Sequence, residues 1–359
     1  MKTRKFILFL CILQIQAVIV AQNNWYVKAT GTSSENSGVN WESAISLDDA
    51  LARSSEGDSI HIAAGTYIPQ ILLTNGRVER EKCFEIKNNI ALIGGYPADA
   101  SGHVQSEPTM HHTILSGQLN SELNAYHVLV ITAAPKRDKS VKLSGLIIRD
   151  GIADNTRRTT IDNIVYQQGV GGGLITERGN VDISDCVFTN NKAFDGAGCW
   201  IQNATLNVRN SKIIGNSTSR GKAGGIYLNW VSFNMEQVIV SDNFAETDGG
   251  GIYLVGSNGY VNQGLIVGNT VNNSAGGVLA AASSTVYLHN VTIGHNEAKT
   301  NGGILLENTF MSMANSTIAE NTAFESGGAG GISDNSRIEA TSSTITRNSA
   351  HNSAGGFIM

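Results

Sequence analysis

Three residues in the last third of the chain could form one chemical group. His295, Glu320 and Arg347 lie 25 and 27 residues apart, and each stands immediately before an asparagine, Asn296, Asn321 or Asn348. An imidazole, a carboxylate and a guanidinium on successive repeats could move a proton or hold an anion. They fall short of the sets that cleave polysaccharides. Glycosidases use two carboxylates at a fixed separation, and lyases add acidic calcium ligands to a basic proton acceptor. Asp195 and Asp248 are further carboxylates, but they stand two repeats apart and read as turn formers. We therefore expect His295, Glu320 and Arg347 to form a solvated ladder of opposite charge rather than a catalytic set.

A second set would bind rather than react. Trp200, Tyr227 and Tyr253 recur at intervals of 27 and 26 residues in a column that continues Ile175, Leu279, Leu305 and Ser333. If the column faces solvent, its rings should be spaced by about 4.8 Å, the separation of neighbouring strands. They would then form one flat stacking surface with polar handles. Cover by neighbouring loops, or by the irregular stretch 152–170, is the competing expectation. That stretch carries Arg157 and Arg158, which are suited to carboxylate or sulfate groups on a glycan.

The elements that must position these residues follow from a repeat. The last glycine of each glycine pair falls at Gly173, Gly198, Gly225, Gly251, Gly277, Gly303, Gly331 and Gly356, at intervals of 25 to 28 residues. Asn191, Asn216, Asn243, Asn269, Asn296, Asn321 and Asn348 keep the same beat. Three residues before each asparagine stand Phe188, Ile213, Val240, Ile266, Ile293, Ile318 and Ile345, an apolar column expected to be buried. Further apolar columns eight and ten residues before, at Ile183 and Val181 in the first repeat, differ by the step of a strand. Between them and the isoleucine column, Asp185, Asn210, Gln237, Gln263, Asn290, Asn315 and Ser342 suit a tight corner.

Three short strands and three corners in about 26 residues describe one coil of a parallel β-helix, with right-handed crossovers by the general rule. The fold class is all-β, a solenoid roughly 34 Å long over its regular part. The glycines recur with the coil, so they are corners and not a phosphate loop.

Met1–Ala21 reads as a signal peptide, with Lys2, Arg4 and Lys5 before the apolar run Phe6–Leu13. No stretch approaches the roughly 20 apolar residues of a membrane helix. Without residues 1–21 the charged residues are 22 basic against 30 acidic, a net of −8, which makes nucleic acid a poor partner. Cys83, Cys186 and Cys199 are expected to be core residues rather than a disulfide framework.

Residues 22–58 read as an N-terminal cap. Ser46 caps a helix with Asp48 and Asp49 in its first turn, Leu47, Ala50 and Leu51 on one face, and Gly57 closing it. The β-helix then occupies 59–359, with irregular coils over 59–151, the inserted loop 152–170 projecting beside the following coils, and regular repeats over 171–359. Gly355–Met359 begins a new coil without a cap, from which end-to-end self-association is expected.

Several stretches resemble a known group. Trp25-Tyr26-Val27, Ala64-Gly65-Thr66-Tyr67, Ile93-Gly94-Gly95-Tyr96 and Thr113-Ile114-Leu115-Ser116-Gly117 resemble large exported β-helix proteins of Bacteroidetes type. Phe188-Thr189-Asn190-Asn191 and Gly224-Gly225-Ile226 are similar to the Phe-x-x-Asn and Gly-Gly-Ala-Ile motifs of the chlamydial polymorphic outer-membrane proteins. The resemblance implies a pectin-lyase-like right-handed β-helix, secreted or at the cell surface, that is adhesive rather than enzymatic. Gln118 stands where it leads one to expect an acidic residue, and neither metal nor cofactor is expected. The reading is adhesion or ligand binding, with an extracellular glycan or a host or cell-surface ligand as partner. The alternative is a polysaccharide lyase or glycoside hydrolase on the same scaffold.

Overall fold

The computed structural model describes residues 22–30 and 35–359. The expected signal segment Met1–Ala21 lies outside them. Four parallel sheets of 11, 10, 10 and 8 strands run the length of a solenoid. One coil shows the plan. Cys199–Gln202 belongs to the glycine-side sheet, Ala204–Arg209 to the long eleven-stranded sheet, Lys212–Ile214 to the isoleucine sheet and Ser217–Thr218 to the short-strand sheet. The stretch after each asparagine is itself a strand of two residues in most coils, a fourth beside the three expected, paired with its neighbours above and below.

The corners explain the residue choice. Asp185, Asn210, Gln237, Gln263, Asn290, Asn315 and Ser342 all adopt left-handed backbone, with φ between 46° and 55°. The position before each asparagine does the same, with φ of 54° at His295, 58° at Glu320 and 51° at Arg347. Branching at Cβ is disfavoured there, and both columns are free of Val, Ile and Thr.

Each asparagine after that corner turns inward. Asn191, Asn216, Asn243, Asn269, Asn296 and Asn321 are all 0% exposed. Asn243 Nδ2 donates to Asn269 Oδ1 at 2.9 Å and to the Ile213 carbonyl at 2.8 Å, and Asn269 Oδ1 also accepts from the Asn243 backbone N–H. This pattern repeats from coil to coil and satisfies polar groups that burial would otherwise leave unpaired. The glycines serve close approach: a Cβ on Gly225 would meet the Gly251 carbonyl oxygen at 2.4 Å.

One core runs from the N-terminal segment to the last coils, holding Val27, Ile60, Leu92, Leu143, Phe188, Ile213, Ile266 and Ile318 among others. The isoleucine column is buried from Phe188 to Ile318, but Ile345 is 43% exposed, because no strand among the described residues stacks on its far side. Cys83, Cys186 and Cys199 are buried free thiols.

The helix Leu47–Arg53 is capped by Ser46, whose hydroxyl accepts from the Asp49 N–H. Leu47 and Ala50 join the main core. Its C-cap is Ser54 in extended backbone, so the helix stops before Gly57, which lies in the following turn. The chain enters the long sheet at Asn24–Val27, which pairs with Ser59–Ala63. The inserted stretch forms an antiparallel hairpin, Arg158–Ile161 with Ile164–Gln167, turning at Asp162 and Asn163. It lies beside the following coils, as expected, against Ile175 and Trp200, and also reaches back over the preceding ones, against Leu73, Cys83 and Val130.

Candidate functional site

The glycine-side column has the expected spacing. Trp200 and Tyr227 stack at 4.2 Å and Tyr227 and Tyr253 at 5.0 Å, with interplanar angles of 26° and 18°. Yet Trp200 is 8% exposed and Tyr253 5%. Ile161, Tyr166 and Val170 of the insertion close over Ile175 and Trp200, and Ala223, Ala275 and Leu279 enclose Tyr253. Of the two expected arrangements, cover by the 152–170 stretch and neighbouring loops is the one formed, with Tyr227 half-buried between the two clusters, because burial removes the apolar rings from water. Lys222 covers the rim, donating to Tyr253 Oη at 2.8 Å and lying 4.7 Å over its ring.

Beneath this cover sits Glu177, buried and pushed up to about 7 by desolvation, with only the nearby Trp200 indole acting to lower it. Neither Glu177 Oε1 nor Trp200 Nε1 completes a hydrogen bond. Its carboxyl therefore keeps its proton far above the ordinary carboxylate range.

The charged corner column does assemble. His295 Nε2 lies 3.1 Å from Glu320 Oε2, and the Arg347 guanidinium pairs with Glu320 Oε1. The side chains are 68%, 33% and 73% exposed for His295, Glu320 and Arg347, so the group is a solvated ion ladder on a convex corner. Among the described residues no three His, Cys, Asp or Glu side chains gather as a metal site. Asp195 and Asp248 prove to be linked by the intervening coil: the Lys222 N–H donates to Asp195 Oδ1 at 2.7 Å, and its ammonium lies 3.8 Å from Asp248. Burial works against the Lys222 charge, but the Tyr253 hydroxyl and both aspartates outweigh it and raise its pKa. Lys222 thus stays protonated near neutral pH and is an electrostatic clamp, not a proton acceptor. Arg157 and Arg158 are exposed on the hairpin, at the edge of a cleft away from the stacked rings.

The face that remains open lies on the long sheet. Its outward positions run in register through Lys142, Asp182, Asn207, Asn234, Tyr260, Tyr287, Ser312 and Glu339. Tyr260 is 57% exposed and Tyr287 38%. Their rings stack at 4.8 Å with an interplanar angle of 18°, and Phe310 meets Tyr287 edge-on at 6.2 Å. Shallow grooves over Lys142, Asp182, Asn207 and Asn234 lead up to the tyrosines. Asp182 is held by Asn207 Nδ2 at 2.7 Å and by the Ser140 hydroxyl, which fixes the polar end of the row. Trp230, 61% exposed, lies flat across Gly256 at the adjoining corner. Simple alternation carried the signal for this row, since its members stand between the two buried columns.

Comparison with known proteins agrees with this architecture. Residues 139–293 match the family model of the right-handed β-helix region. The fold is a right-handed β-helix. Its solved structural neighbours are pectin-lyase-like. The crystal structure of pectate lyase Pel9A is similar with a TM-score of 0.55 at 12% identity, over 92% of this chain and 79% of that one. The pectin methylesterase from Aspergillus niger has a TM-score of 0.33 at 12% identity, with 92% of each chain covered. A rhamnogalacturonan lyase has 0.35 at 12%, covering 93% and 85%. No curated protein sequence matches the chain.

Proposed function

We propose that this protein is an exported, extracellular or surface-associated β-helix that binds an extended carbohydrate chain along its long sheet and acts in adhesion. The observation that carries the reading is the exposed Tyr260–Tyr287 stack, in register with the polar column Asp182, Asn207 and Asn234. Flat rings take the apolar faces of sugars, and amide side chains take their hydroxyls. The basic and apolar residues of Met1–Ala21 and the resemblance to exported polymorphic outer-membrane proteins support the location.

Titration calorimetry with a panel of neutral and acidic oligosaccharides tests the proposal. The Tyr260→Ala, Tyr287→Ala double variant should bind at least about fivefold more weakly, since each stacked ring contributes about 0.5 to 1.5 kcal/mol. Unchanged affinity in that variant would refute the site.

Polysaccharide cleavage, by a lyase or glycoside hydrolase, is the second reading, favoured by the likeness of the fold to that of pectate lyase Pel9A. Release of unsaturated or reducing ends from the same panel would replace binding with catalysis.

A further inference from the structure

The inserted hairpin and the segment before the strand Phe84–Ile86 close a cleft of about 840 Å³ on the flank away from the tyrosine row. Three arginines stand on it: Arg77 from one wall, Arg157 and Arg158 from the other. All three are exposed, and among the described residues none of their guanidinium groups has a hydrogen bond or ion pair. Three arginines elsewhere are neutralised by a carboxylate: Arg80 pairs with Asp154, Arg337 with Glu339 and Arg347 with Glu320. In a chain with a net charge of −5, three unpaired guanidiniums around one cleft concentrate positive charge at a single place.

The cleft is also rigid. Glu81 is 6% exposed and lies between the two walls. Its Oε2 accepts from the backbone N–H groups of Arg77 and Val78, at 2.6 and 2.9 Å. Its Oε1 accepts from Thr159 Oγ1 and Gln168 Nε2, both at 2.7 Å. Burial alone would raise the Glu81 pKa, but these donors outweigh it and hold it below the ordinary range. The carboxylate is thus saturated from inside and fastens one arginine-bearing wall to the other. Alternation along Arg158–Ile161 then turns Thr159 inward to Glu81 and leaves Arg158 and Thr160 facing out. Asn75 Nδ2 adds a second tie, donating to the Thr160 carbonyl at 2.9 Å. Guanidiniums held on fixed walls and left unpaired are prepared for oxyanions, which they bind in bidentate fashion.

We infer that this cleft is a binding site for the oxyanion groups of an acidic saccharide, carboxylate or sulfate, distinct from the tyrosine row. The inference stands on the arginine geometry and does not need the tyrosine site to bind. Its test uses the whole chain and four probes: an oligouronate, a sulfated oligosaccharide, a neutral oligosaccharide of equal length and inorganic sulfate. The acidic saccharides should bind with an affinity that falls as salt rises. The Arg157→Glu, Arg158→Glu double variant should lose at least tenfold toward the acidic probes and nothing toward the neutral one. Arg77→Ala, on the opposite wall, should lose several-fold, which keeps the test independent of the hairpin's folding. The relative affinities of the oligouronate and the sulfated probe identify which oxyanion the site prefers. Acidic binding unchanged in both variants would overturn the site. Inorganic sulfate displacing the oligosaccharides at equal concentration would overturn the saccharide assignment. Failure of the Tyr260→Ala, Tyr287→Ala variant to weaken binding would leave this result untouched, so the two sites are separable.

Discussion

Two aromatic columns run along this solenoid with nearly the same spacing and different surroundings. Trp200, Tyr227 and Tyr253 stack at 4.2 and 5.0 Å on the glycine-side sheet, and Tyr260 and Tyr287 at 4.8 Å on the long sheet. The first column is covered by the hairpin of the 152–170 insertion and by the loops carrying Lys222, Ala223 and Ala275. The second has no such cover, and its rings are 57% and 38% exposed. Strand register therefore sets how rings stack, while the loops beside the sheet decide whether the stack is core or surface. Only the open stack is available to a ligand.

Substitution should separate the columns most sharply in stability. Trp200→Ala removes a ring packed against Ile161, Tyr166 and Ile175 and is expected to cost about 3 to 5 kcal/mol in chemical denaturation. Tyr260→Ala should cost under about 1 kcal/mol, the scale of an exposed cross-strand pair. A loss at Trp200 as small as that at Tyr260 would show the hairpin to be detached in solution.

The covered column should also confer a pH dependence that the open one lacks. Glu177 holds its proton to about 7 when folded, against an ordinary value of 4.5. Between those values the folded state binds more protons than the unfolded chain, so this contribution is full below about 4.5 and is lost as pH rises to about 7. The difference corresponds to at most about 3 kcal/mol. Glu177→Gln should match the parent near pH 4 and exceed it in stability at pH 8, as read from paired denaturation curves. Parallel curves at all pH values would place Glu177 in water, not under Trp200.

The smallest effect is expected at the charged corner. Glu320→Gln breaks the contacts to His295 and Arg347, which are solvated, and should change stability by less than about 1 kcal/mol. It should leave saccharide binding unchanged by calorimetry. A larger loss of either kind would return His295, Glu320 and Arg347 to the functional candidates.

Much of the fold was legible because a solenoid repeats its physics. Val181 and Ile183 with the columns that continue them, the isoleucine column through Ile318, and the left-handed corner at Asp185 and its successors all follow from side-chain type at a fixed period. The site was less legible. Both aromatic rows alternate with buried positions, so periodicity marks each as outward-facing and goes no further. The Glu81 carboxylate shows why the rest was hidden: its donors Arg77 and Val78 are near in sequence, but Thr159 and Gln168 are 78 and 87 residues away.

The sequence by itself determined the coil, its corners and the residues that stack from one coil to the next, because each depends on local backbone preference and on neighbours one period away. Only the tertiary structure decided which outward rows stay open, that Lys222 joins Asp195 to Asp248, and that Arg77 faces Arg157 and Arg158 across one cleft. Those outcomes depend on where irregular segments come to rest, and a segment outside the repeat takes its position from the apolar surface and buried charges that its two flanks jointly satisfy.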